Sequence, residues 1–130
     1  MSAELLRRAE AAFDAAAWRD ALLAFEAVWH ADRDEGTRAL VLLCNALLQL
    51  ERGMSTAPRR ALQRADDLLR AAAPTVAGYD VARLRQAIGR VRAAIPPDLE
   101  TGAGQLEWAA IPRFTLAACR QPEGANDATV

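Results

Sequence analysis

The stretch ALVLLCNALLQL, residues 39–50, is the most apolar run of the chain, and its reading decides the fold. Nine of its twelve residues are Ala, Val or Leu, Cys44 adds a tenth apolar position, and only Asn45 and Gln49 are polar. A helix that is apolar nearly all round has to be covered on nearly all sides. The run is interrupted at Asn45 and falls short of the ~20 apolar residues needed to span a bilayer. It therefore predicts the central helix of a small all-α domain, with the other helices packed around it.

Working outward, helical periodicity recurs on both sides. Leu5, Leu6, Ala9, Ala12 and Phe13 make one face of a first helix ending near Ala15. Trp18, Ala21, Leu22, Phe25, Val28 and Trp29 repeat at i, i+3, i+4 and i+7, which predicts a second helix from Trp18 to about His30. The polar stretch ADRDEG, residues 31–36, reads as a connector, with Thr37 as N-cap of the central helix and Gly53 as its C-terminal stop. A fourth helix starts near Ala57-Pro58, runs through Leu62, Ala65, Leu68 and Leu69, and is stopped by Pro74. Gly78 opens a turn and Asp80 caps a fifth helix, whose Val81, Leu84, Ile88, Val91 and Ile95 face inward before Pro96-Pro97 ends it.

Beyond residue 97 the pattern changes. Gly102, Gly104 and Pro112 are interspersed with Leu106, Trp108, Ile111, Phe114 and Leu116. Residues 98–120 read as an irregular strap packed back on the bundle, with one helical turn at 105–110, and 121–130 as a frayed tail. The expected organisation is a compact five-helix bundle over 1–97, the strap, and the tail. A chain of 130 residues is one domain with room for a core.

Charge is balanced overall but not along the chain. Sixteen basic residues, all Arg, meet seventeen acidic ones; residues 1–51 carry net −4, 52–95 carry +6 and 96–130 carry −3. Cys44 and Cys119 are distant, and with His30 as the single histidine no zinc spacing exists. The N-terminus has no signal-peptide h-region. The expectation is a soluble, cytoplasmic protein with reduced thiols and no cofactor, metal or membrane partner.

No phosphate-binding glycine loop, nucleophile elbow or paired-carboxylate motif is present, so the residues name no reaction. Trp18, Glu26, Trp29, His30 and Asn45 are the candidate groove: the indoles could anchor a peptide, and Glu26, His30 and Asn45 could converge on a small-ligand or catalytic pocket. The plainer reading makes both Trp core anchors, His30 a partner of a helix C-terminus and Asn45 a register-fixing amide. Arg60, Arg64, Arg83, Arg85, Arg90 and Arg92 form a candidate basic face for nucleic-acid phosphates. Tyr79 is the sole aromatic in 52–95, and Asp66, Asp67 and Asp80 stand where they can pair within the helices. A solvated face or an acidic protein partner is the simpler explanation of that cluster.

Three segments, FDAAAWRDALLAFEAVW (13–29), RGMSTAPRRALQRADDLL (52–69) and GYDVARL (78–84), resemble in order the signature segments of domain-of-unknown-function family 309, a family of small helical proteins. Trp18, Glu26 and Trp29 match that pattern. The His-Glu pair of the family falls on Leu22 and Leu23, its central Gln on Leu42, and its Gly-Asn on Gly53-Met54. The resemblance implies a fold and no activity, and its departures imply a polar pocket filled by apolar groups. The spacing Ala16-x-Trp18-x-x-Ala21-x-x-x-Phe25 is also similar to the second helix of a tetratricopeptide unit, without a second copy of the repeat. This second resemblance favours an interaction or scaffold module that binds a protein or peptide over catalysis.

Overall fold

The computed structural model describes residues 2–72, 74–96 and 107–121. Five helices follow one another: α1 (Ser2–Asp14), α2 (Trp18–Asp32), α3 (Glu35–Glu51), α4 (Thr56–Arg70) and α5 (Val81–Ala94), with a two-stranded hairpin, β1 (Thr75–Val76) and β2 (Tyr79–Asp80), before α5. Two single 3-10 turns, Trp108–Ala110 and Ala117–Cys119, lie in the strap. The fold is an all-α bundle. Each helix packs chiefly on its sequence neighbours, α1 on α2, α2 on α3, α3 on α4 and α4 on α5. Short connections make the first three of these pairs antiparallel, and the hairpin lies in the longer connection between α4 and α5.

Helix α3 is the axis of this arrangement. From Gly36 to Leu50 no residue is exposed: Leu40, Leu43, Cys44, Ala46, Leu47 and Leu50 are buried, and Asn45 is half-buried with Leu42 and Gln49. Around it stand Phe13, Trp18 and Phe25 from the first hairpin and Leu62, Leu69, Leu84, Ile88 and Val91 from the second. The inward positions predicted for α5, Val81, Leu84, Ile88, Val91 and Ile95, are all buried.

The helix ends show why the chain turns where it does. Gly53 sits at φ +89°, its N–H donating to the Leu50 carbonyl while the Met54 N–H donates to that of Gln49, the paired bonds of a Schellman stop. Helix α1 ends in the same motif with Ala16 at φ +62°, where glycine would be expected. The N-cap of α3 is Asp34 rather than Thr37. Asp34 Oδ2 accepts from the Thr37 N–H at 3.1 Å and from its Oγ1 at 3.2 Å, so Thr37 is the capped residue and not the cap. The connector is correspondingly shorter than 31–36, because only Arg33 and Asp34 lie outside helix. Asp80 caps α5 as the sequence suggests, accepting from the Ala82 N–H at 2.9 Å.

The hairpin is the element that the sequence did not announce. Ala77 (φ +54°) and Gly78 (φ +86°) form a two-residue loop with both residues left-handed, the geometry that matches strand twist. The strap joins it: Tyr79 and Arg120 form an antiparallel bridge, and the Gln121 N–H donates to the Gly78 carbonyl at 3.0 Å. Gln121 thus belongs to the strap and not to a tail. The helical turn expected at 105–110 is a 3-10 turn at 108–110. The expectations for Pro97, for residues 98–106 and for 122–130 lie outside the described residues.

Gly36, in the first turn of α3, lets the hairpin approach. A Cβ there would lie 2.5 and 2.7 Å from the two γ-methyls of Val76, whose branched side chain is buried and stiff. Gly89 in α5 has open space at the equivalent point. Replacing a helical glycine by alanine gains about 1 kcal/mol where nothing obstructs, whereas overpacking costs about 1–3 kcal/mol. Urea unfolding should therefore find Gly36→Ala destabilised by up to about 2 kcal/mol, and Gly89→Ala stabilised by up to about 1 kcal/mol.

Candidate functional site

The candidate groove residues do not share one concavity. Trp18 is buried at the start of α2, where its ring meets Phe13 edge-on at 5.0 Å and Trp108 of the strap at 6.3 Å. Phe114 adds a fourth ring, 5.4 Å from Phe13. The strap therefore covers the Trp18 end of the proposed groove. At the other end of α2, Trp29 is half-buried beneath two guanidinium groups: the left-handed turn at Arg33 brings its own 4.4 Å from the indole centroid and that of Arg38 stands at 6.0 Å; the His30 ring lies 5.1 Å away. Glu26 and Asn45 are half-buried, and His30 is exposed. None of the clefts described below includes Glu26, His30 or Asn45.

Helix α1 carries the polar anchors of the strap. Glu10 Oε1 accepts from the Tyr79 hydroxyl at 2.7 Å and from Arg120 Nε at 2.9 Å, while Arg120 Nη2 donates to Oε2. One turn later Asp14 accepts from the Leu116 N–H at 2.7 Å and the Ala117 N–H at 3.3 Å, capping the second 3-10 turn from across the molecule. Burial and then the nearby Asp14 raise the Tyr79 phenol above its ordinary range, so it stays a donor. Ile111, Leu116 and Cys119 are buried beneath this clasp. A cleft of about 260 Å³ remains at its edge, lined by Phe13, Asp14, Ala16, Trp18, Arg113, Phe114 and Thr115.

Burial raises both thiols. Cys44 and Cys119 are free, and desolvation disfavours the thiolate at each, which makes them unreactive packing groups. Among the described residues no group of three or more His, Cys, Asp and Glu could hold a metal ion, and no helix is long and apolar enough to cross a membrane.

The basic face divides into three. Arg85 Nε donates to Asp66 Oδ1 at 2.9 Å, and Arg92 Nη2 donates to Gln63 Oε1, so these two close the α4–α5 seam. Arg83 lies 3.8 Å from Asp80 and donates to the Ala118 carbonyl of the strap at 3.4 Å. Arg60, Arg64 and Arg90 alone are exposed and make no ion pair among the described residues. Half of the expected phosphate ligands are thus occupied with the protein's own groups.

An apolar opening lies elsewhere, on the side of α1 and α2 turned away from the strap. Leu5, Ala12, Leu23, Ala24 and Ala27 line an open cleft of about 430 Å³, with Arg8 on α1 and Asp20 on α2 as its charged lining. Leu23 is 54% exposed, and neighbouring outward positions Ala11, Ala15, Ala27 and Ala31 carry no charge. The sequence held a signal for this face: Leu23 lies off the inward arc of α2, and the alanines occupy positions where a solvated helix carries polar residues. Leu22 and Leu23, adjacent in sequence, part company here. Leu22 packs against the core while Leu23 lines the outer cleft, so they do not fill one common pocket.

No protein-family model, no curated protein and no solved structure matches the chain.

The α4–α5 seam offers a direct test of its electrostatics. Burial pushes the Asp66 carboxyl up, but Arg85 and Arg70 together outweigh burial and hold it below the usual carboxylate range. A carboxylate depressed on folding contributes stability above its unfolded pKa of about 3.9 and loses it as pH falls through the folded value. Asp66→Asn should lower stability at neutral pH by about 1–2 kcal/mol. In urea unfolding across pH, the gap between wild type and variant should close below about pH 4.

Proposed function

We propose that the protein is a non-catalytic interaction module, which docks an amphipathic helix of a protein partner in the α1–α2 cleft. The observation that carries this reading is Leu23. A large apolar side chain left more than half exposed, set in an apolar opening between two parallel-sided helices, has the form of a helix-in-groove site. The alanines beside it favour the reading, since small side chains allow a third helix to approach closely. So does the arrangement of antiparallel helical hairpins, as in tetratricopeptide units. A distant likeness to family 309, a cytoplasmic setting with reduced Cys44 and Cys119, and the absence of a cofactor belong to the same proposal.

The competing readings have less behind them. A small-ligand or catalytic site at Glu26, His30 and Asn45 would need a shared cavity, and the clefts found nearest are built from other residues. Nucleic-acid binding would rest on Arg60, Arg64 and Arg90 without a stacking aromatic, a thin footprint for a phosphate backbone.

The test is site-directed photo-crosslinking in the native host. A p-benzoyl-phenylalanine placed at Ala27 should give a discrete adduct of defined mass that disappears when Leu23→Asp is added. Adduct formation that ignores Leu23→Asp, or none at all, contradicts the docking site.

A further inference from the structure

The lining of the α1–α2 cleft also bears on what fills it. Its two charges have opposite signs and sit on opposite walls, Arg8 on α1 and Asp20 on α2, and neither makes an ion pair among the described residues. A partner of strong net charge would be attracted by one wall and repelled by the other. A surface that is apolar along its middle, with one positive and one negative wall, is instead complementary to itself. Rotating a second copy by a half-turn over the cleft sets Arg8 of each protomer against Asp20 of the other, while the two Leu23 side chains meet near the axis. This is the isologous arrangement of a two-fold dimer, in which each pair contact occurs twice.

The helices are suited to it in shape. Helices α1 and α2 have 13 and 15 residues, so each is about 20 Å long at 1.5 Å per residue. Two such hairpins face to face make a four-helix layer of ordinary dimensions. The exposed alanines at 11, 15, 27 and 31 let the helix backbones come near without side-chain collision. The strap, the hairpin and the Glu10 and Asp14 anchors lie on the other side of α1 and are left undisturbed.

Resting on the reading of this cleft as a docking surface, we infer that its occupant is the α1–α2 face of a second copy of the chain, joined by reciprocal Arg8–Asp20 pairs around a central Leu23 contact. The footprint is that of one helical hairpin, at the small end of specific interfaces, and implies a reversible dimer with a Kd on the order of 10 μM.

Sedimentation equilibrium and light scattering on the full chain, from about 1 μM to about 1 mM, bracket that value. The mass should rise with concentration from 14.0 kDa towards twice that figure. Leu23→Asp, which removes two apolar contacts per dimer and introduces two charges, should weaken association by at least about 100-fold. Arg8→Glu alone and Asp20→Arg alone should each weaken it by roughly three- to tenfold. The double variant Arg8→Glu/Asp20→Arg, which restores opposite charges across the axis, should recover wild-type affinity. All three substitutions are on exposed positions, and circular dichroism checks that helicity is kept in each variant. A chain that stays monomeric across the range overturns the inference. So does a dimer indifferent to Leu23→Asp, or one that the double variant fails to restore. If the chain is monomeric while the Leu23-dependent crosslink to another protein persists, the second copy is excluded and the docking site stands. If the adduct is absent as well, both fall.

Discussion

Helix α3 has to be covered on nearly every side, and the rest of the molecule is arranged to cover it. Burying a Leu or Val side chain is worth about 1.5–3 kcal/mol, and α3 carries a continuous series of them, so leaving any flank open would be expensive. Helices α2 and α4 take its two sides. The hairpin comes down on its first turn, which Gly36 keeps thin enough to admit Val76. That close approach in turn fixes where α5 starts, because Asp80 is both the last residue of the hairpin and the N-cap of α5.

Helix α1 has the opposite character, with two flanks put to different uses. Glu10 and Asp14 take up the Tyr79 hydroxyl, the Arg120 guanidinium and two strap N–H groups, so that residues more than a hundred positions apart are tied through two carboxylates. Its other flank offers Leu5 and Ala12 to a cleft with no cover from the described residues. An interaction role is argued from that asymmetry: the chain supplies its own covering segment on one side of α1 and leaves an apolar opening on the other.

Most of the helical layout was legible in the sequence because its signals are local. The inward series of α5, the cap at Asp80 and the stop at Gly53 depend on residues within one or two turns, and each stands where the pattern put it. What was not legible was either too short or too ambiguous to leave a local pattern, or depended on partners distant in sequence. Asp34 and Thr37 are both good caps, and a shift of three residues reverses which of them is capped. The hairpin strands have two residues each, too short for a period-two pattern to show. The Arg cluster looked like one basic face because spacing along a helix does not say that Asp66 and Gln63 of α4 stand opposite Arg85 and Arg92 of α5. Aromatic residues stand out in a sequence, which draws a candidate groove to Trp18, Glu26 and Trp29. Leu23 and its alanines do not, and their exposure follows only from which side of α2 receives α1 and which receives α3.

Helix α3 is the buried axis whose exposure requires the whole fold to open, and native-state hydrogen exchange in low denaturant measures that directly. The amides of Leu43 to Leu50 should exchange last, with an opening free energy equal to that of global unfolding and the same denaturant dependence, while the strap amides of Leu116 and Ala117 open at lower cost. Exchange of the α3 amides through a smaller opening, or with protection no greater than that of α1, would contradict the central place given to this helix.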